Sequence, residues 1–127
     1  MVFGEQSGVN MLKDHQKQRL IEIVDANPDN YRLGFNDWMP KNWHIIYRFF
    51  LEANRVWDSG RRHHSARDLC AFLRHETALE EARFPNRINP NGFKISNNST
   101  PYLARLYLDI YPDRKTIFNL KELKASV

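Results

Sequence analysis

Two stretches of this chain carry side chains that could do chemistry on an anion. In the first, Asn97, Asn98 and Ser99 are turn formers with hydrogen-bonding side chains, and Thr100-Pro101 follows at a predicted helix start. Such a run leaves backbone N–H groups free to point at an anion. That suits phosphate, and so nucleic acid, although the same residues serve equally where a strand simply turns into a helix. The second stretch, Arg61-Arg62-His63-His64 with Arg67 a turn further on, sets four basic or potentially basic groups ahead of another predicted helix. Their charge opposes the local helix dipole and costs something unless an anion or an acidic neighbour answers it. Pairing of Arg61 and Arg62 with carboxylates elsewhere is the structural alternative.

Enzyme chemistry finds less to work with. Of His15, His44, His63, His64 and His75, only His63 and His64 with His75 and Glu76 could cluster. A metal-dependent nuclease of the His-His-Asn type needs a metal-binding ribbon ahead of a helix, whereas His63 and His64 fall between two predicted helices. The lone Cys70 gives neither a paired-cysteine zinc site nor an internal disulfide, and it reads as a small buried hydrophobe of a reducing compartment. The chain has no G-x-x-x-x-G-K phosphate loop, and Ser7-Gly8 and Ser59-Gly60 lack a nucleophile-elbow context. Glu76, Glu80 and Glu81 sit on or beyond a helix end, where solvated carboxylates are routine. The reading is non-enzymatic, with no cofactor and no metal site.

The positioning of those groups falls to one domain, since 127 residues with 42% apolar content suffice for one core and not for two. The longest apolar stretch, residues 45–51 interrupted by Arg48, is far short of the roughly 20 residues a spanning helix needs. The first residues lack the basic leader and apolar run of a secretory signal, so the expected setting is the cytoplasm. Charge is unevenly shared: residues 1–60 hold seven Lys/Arg against eight Asp/Glu, residues 61–127 twelve against seven. The basic excess of the second half would concentrate polyanions through counterion release, or would simply be a solvated face.

Hydrophobic periodicity supplies the elements. Residues 1–12 show no sustained period and read as a flexible N-terminus, leaving 13–127 as the domain. Leu20, Ile23 and Val24 mark a helix over 14–26, stopped by Asn27-Pro28. Residues 31–39 read as a loop whose Tyr31, Leu33, Phe35, Trp38 and Met39 pack back on the core. Trp43, Ile46, Phe50, Ala53 and Trp57 step by three and four into a second helix, the expected central pillar, with Gly60 at its C-terminal cap. Helical spacing makes core the expected place of Trp43 and Trp57. Ser65 with Asp68 starts a third helix whose inner face is Ala66, Leu69, Cys70 and Leu73. A fourth, over 101–111, turns Leu103, Leu106, Tyr107 and Ile110 inward. Alternation over 93–96 and 116–123 predicts two short strands that pair.

The order Ala26-Asn27-Pro28, Gly60-Arg61-Arg62-His63 through Ser65-Ala66-Arg67, Leu73-Arg74 through Glu76-Thr77, and Phe93-Lys94-Ile95 through Asn97-Asn98 to Tyr102 and Ala104-Arg105-Leu106 resembles a family of small bacteriophage and prophage proteins. In them the last piece reads F-K-I-N-N-N followed by Y-x-A-R-L; Ser96 here departs from the pattern. The resemblance covers roughly residues 26–123 and implies a phage context and no particular activity. Together with the elements it looks like a winged-helix-like arrangement, mainly α with a small antiparallel β ribbon. In such modules a helix N-terminus lies in the major groove and the ribbon touches the adjacent backbone.

By that analogy Asn97, Asn98, Ser99, Thr100 and Tyr102 face phosphate or base edges, and Arg105 contacts guanine. Arg114, Lys115 and Lys121 serve as wing contacts, and Arg61, Arg62 and Arg67 clamp the backbone. About twenty residues separate the third and fourth helices, more than a plain helix-turn-helix allows. The function expected is DNA binding by a monomer or homodimer, away from membranes. The rival is a phage inhibitor docking on a host protein, which a joint exposed patch of Tyr31, Phe35, Trp38, Tyr47 and Phe84 would favour.

Overall fold

The computed structural model of the protein describes residues 12–83 and 99–118. Five helices follow the hydrophobic periods: α1 (Asp14–Ala26), α2 (Phe35–Trp38), α3 (Trp43–Asp58), α4 (Ala66–Arg83) and α5 (Thr100–Ile110). Short 3-10 turns at Pro28–Asn30, Met39–Lys41 and Pro112–Arg114 each carry a Pro in their first two positions, where its missing N–H costs nothing.

Local signals set most boundaries. The Lys13 N–H donates to Gln16 Oε1 at 2.8 Å, half of a capping box at the start of α1. Ser65 Oγ accepts from the Asp68 N–H at 3.2 Å, as its place before α4 requires. Gly60 adopts φ of +98° just beyond α3, the left-handed cap its position suggests. The expected loop at 31–39 instead contains α2 and runs into the Met39–Lys41 turn. Its Tyr31, Phe35 and Met39 are buried as expected and Trp38 is half-buried, whereas Leu33 is fully exposed.

The core lies where α1, α3 and α4 close around α5. The role of central pillar expected of α3 is therefore shared with α5. Phe49 and Phe50 of α3 meet Tyr107 of α5 and Phe118 beyond it, with Phe50 and Tyr107 edge to face at 5.2 Å. Leu12, from the stretch read as flexible, is buried in this core; residues 1–11 lie outside the described ones.

The predicted β ribbon is not there: among the described residues, 77% are helical and none is in a strand. A half-buried strand buries every second residue, yet consecutive Ile117 and Phe118 are 0% and 3% exposed. They enter the core behind a turn in which the Ile117 N–H bonds the Arg114 carbonyl. The strand expected at 93–96 and the remainder of the second, 119–123, fall outside the described residues. Without a ribbon the winged-helix arrangement lapses, and with it the wing role given to Arg114 and Lys115.

Candidate nucleic-acid interface

The start of α5 faces inward. Ser99 and Thr100 are 3% and 6% exposed, and Thr100 Oγ1 lies 3.8 Å from Cys70 Sγ on α4. Tyr102 is half-buried against Phe35, with ring centroids 6.0 Å apart. Arg105 Nη1 donates to the Asn30 carbonyl at 2.9 Å, closing the turn after α1. The residues expected to meet phosphate, Ser99, Thr100 and Tyr102 among the described ones, are thus engaged in packing. Asn97, Asn98 and Lys121 lie outside the described residues.

A different cationic surface forms where the C-terminal ends of α3 and α5 converge. Gly60 turns the chain out of α3, and the His64 N–H then donates to the Ile117 carbonyl at 2.7 Å. That bond draws residues 61–65 alongside 112–118. Arg62 and Arg114 thereby approach the same Trp57 ring, while Arg61, His63 and Lys115 are exposed on the two joined segments and Arg67 is exposed in the first turn of α4. Two groups of basic residues about fifty positions apart in sequence meet on one end of the bundle.

Arg62 is the most defined of them. Its Nη1 donates to the Trp57 carbonyl at 2.8 Å, an acceptor it shares with the Gly60 N–H at 3.0 Å, and its guanidinium carbon stands 3.8 Å from the Trp57 ring centroid. Arg61 Nε donates to the His63 carbonyl at 2.9 Å. Arg114 reaches inward: its Nη1 donates to Asn54 Oδ1 at 3.0 Å and Tyr107 Oη at 2.9 Å, while the Tyr107 hydroxyl donates to Asn54 at 2.7 Å. The same guanidinium stacks on Tyr111 at 4.3 Å and approaches Trp57 at 5.5 Å. Burial pushes the Tyr107 hydroxyl up to about 12, with Arg114 pulling the other way. Among the described residues, buried Arg114 Nε and His64 Nδ1 have no hydrogen-bond partner.

The converging helix ends carry partial negative charge, which these guanidinium groups partly answer. Asp58 and Asp113 share this end of the bundle, yet the ion pairs among the described residues, Arg48–Glu80 and Arg55–Glu52, lie elsewhere. Arg61, Arg62, Arg67 and Lys115 are exposed and form no ion pair among the described residues. Arg105 is excluded from this surface. It stands two positions from Tyr107, so it projects from nearly the opposite side of α5, toward the turn after α1.

Sequence reasoning missed Trp57, Asn54 and Tyr111 as positioning groups. The available signal was Trp57 standing five residues before Arg62 across a glycine turn. The other chemistries do not assemble. His63 and His64 precede α4 while His75 lies nine residues into it, roughly 13 Å along its axis, and no three metal-binding side chains converge among the described residues. Glu80 is occupied by Arg48 in a two-pronged pair at 2.9 and 3.1 Å. Cys70 is buried as expected, its thiol pushed up to about 11 by that burial.

The apolar patch proposed for a host protein is absorbed: Tyr31, Phe35 and Tyr47 are buried, and Phe84 is outside the described residues. A separate groove of about 420 Å³ runs between α3 and α4, floored by Tyr47, Leu51, Phe72 and Leu73. No helix among the described residues is long and apolar enough to cross a membrane. No family model matches the chain, and no curated protein or solved structure matches it either.

Proposed function

We propose that the protein is a non-enzymatic DNA-binding protein of phage type that grips the nucleic-acid backbone with the end of the bundle where α3 and α5 converge. One observation carries the reading: the His64–Ile117 bond joins the segment that carries Arg61, Arg62 and Arg67 to the one that carries Arg114 and Lys115, and no carboxylate among the described residues pairs with them. Cations held on a fixed frame without a carboxylate partner are what a polyanion exchanges for its own counterions. Contacts of this kind position a protein on DNA without reading sequence.

A gel shift with a general duplex tests the reading. Engagement of Arg61, Arg62, Arg67 and Lys115 with four phosphates gives a log–log salt slope of about −3.6, hence a loss of about 150-fold between about 50 and 200 mM salt. Absence of any shift at about 50 mM salt rejects it. The second reading, docking on a host protein, draws on the α3–α4 groove and the exposed Phe72 and Leu79. A pull-down with and without nuclease separates the two.

A further inference from the structure

We infer that Arg62, its guanidinium carbon set over the Trp57 ring, is a stacking shelf for one base of a single-stranded nucleic acid. The inference rests on the DNA-binding reading above and adds the class of strand. An ordinary surface arginine samples many rotamers, and its plane has no fixed direction. Arg62 is held three ways: by the Trp57 ring at 3.8 Å, by the Trp57 carbonyl at 2.8 Å and by the Arg61 carbonyl at 3.4 Å. Trp57 is anchored in turn, half-buried against the core, with Arg114 5.5 Å from its ring.

One face of the guanidinium is covered by indole while the side chain is exposed, so the solvent it meets lies on the face turned away from the ring. A planar, delocalised cation with one open face is a platform on which a nucleobase stacks. Both hydrogen bonds use Nη1, and neither Nε nor Nη2 is needed to hold the plane. Arg61 and Lys115, exposed on the two segments that the His64–Ile117 bond joins, add charge for the phosphates of the strand. In a duplex each base is already stacked between its neighbours and cannot lie on such a shelf without leaving the helix. An unpaired strand has no such obstacle. The plane, not the charge alone, is the selective element, and lysine cannot supply it.

The test compares the full-length protein's affinity for a short oligothymidylate and for an abasic strand of the same length and charge, by fluorescence anisotropy at low salt, with oligouridylate as a parallel arm. The pyrimidine strand binds about five- to tenfold more tightly than the abasic one, the lower range for a single stacked base. In Arg62→Lys, checked for folding by circular dichroism, that ratio falls to about one. Whichever of the thymidylate and uridylate strands shows the larger gain identifies DNA or RNA as the source. Equal binding of the base-bearing and abasic strands by the unaltered protein overturns the shelf and leaves backbone binding standing, as does a ratio that survives Arg62→Lys. Failure of every strand to bind overturns both.

Discussion

Arg114→Ala removes the pin that holds the end of α5 to α3. Arg114 gives hydrogen bonds to Asn54 and Tyr107 at 3.0 and 2.9 Å and stacks on Tyr111 at 4.3 Å. A hydrogen bond involving a charged group contributes about 1.5–3 kcal/mol and a partly desolvated cation–π contact about 1 kcal/mol. The desolvation of the guanidinium, and of the Nε left without a partner, is recovered on truncation and offsets part of this. The net expected loss is about 2–3 kcal/mol, or roughly 10 °C in Tm for a chain of this size. Urea unfolding followed by far-UV circular dichroism measures it.

Tyr107→Phe, which keeps the ring and deletes the hydroxyl, serves as the second arm of a double-mutant cycle. The two changes should couple by about 1 kcal/mol, because each removes the other's partner. A loss below about 0.5 kcal/mol for Arg114→Ala, the level of an ordinary exposed substitution, together with no coupling to Tyr107, would refute the network and the convergence of helix ends built on it.

Gly60→Ala should cost about 1 kcal/mol, all of it backbone strain, since φ is +98° and an added Cβ meets nothing within 4 Å; a neutral result in the same urea assay would contradict the left-handed cap. Burial raises the hydroxyls of Tyr31, Tyr47 and Tyr107 above their ordinary value of 10.0. The folded state thus favours their neutral forms: that stability is complete below about pH 10 and is lost as pH climbs toward about 12. Ultraviolet titration of the tyrosines should show part of the ionisation coinciding with loss of helix, and ionisation of all five without unfolding would contradict the burial. Cys70, buried with its thiol raised, should resist a thiol reagent in the native protein and react at once in urea; rapid native labelling would place it on the surface instead.

Much of the scaffold was legible because helix periods and caps are local. Leu20, Ile23 and Val24 mark α1 between its observed bounds, and Gly60 and Ser65 mark where α3 ends and α4 begins. The ribbon was not, because Ile117 and Phe118 follow a proline turn and take their burial from the α3–α5 core, which no local alternation reports. The site misled for the same reason. Asn97 through Thr100 has the composition of an anion-binding helix start, yet the bundle buries Ser99 and turns Thr100 toward Cys70. Trp57 continues the apolar stripe of α3, and its use as a platform depends on where Arg62 and Arg114 arrive from beyond the turns. Local sequence fixes a helix and its faces; which helix ends meet is decided by tertiary packing.

Binding of the nucleic-acid backbone is proposed for the cationic end formed by residues 61–67 and 114–115. Its most direct measurement is the affinity of a labelled DNA strand at about 50 mM salt for the unaltered protein, for the Arg61→Glu/Arg62→Glu/Lys115→Glu variant and for Arg105→Ala. The account predicts at least about a hundredfold loss in the triple variant, with the fold retained, and no more than about a twofold change in Arg105→Ala, whose guanidinium is engaged with Asn30 on the far side of α5. Undiminished binding by the triple variant, or a larger loss from Arg105→Ala, would contradict it.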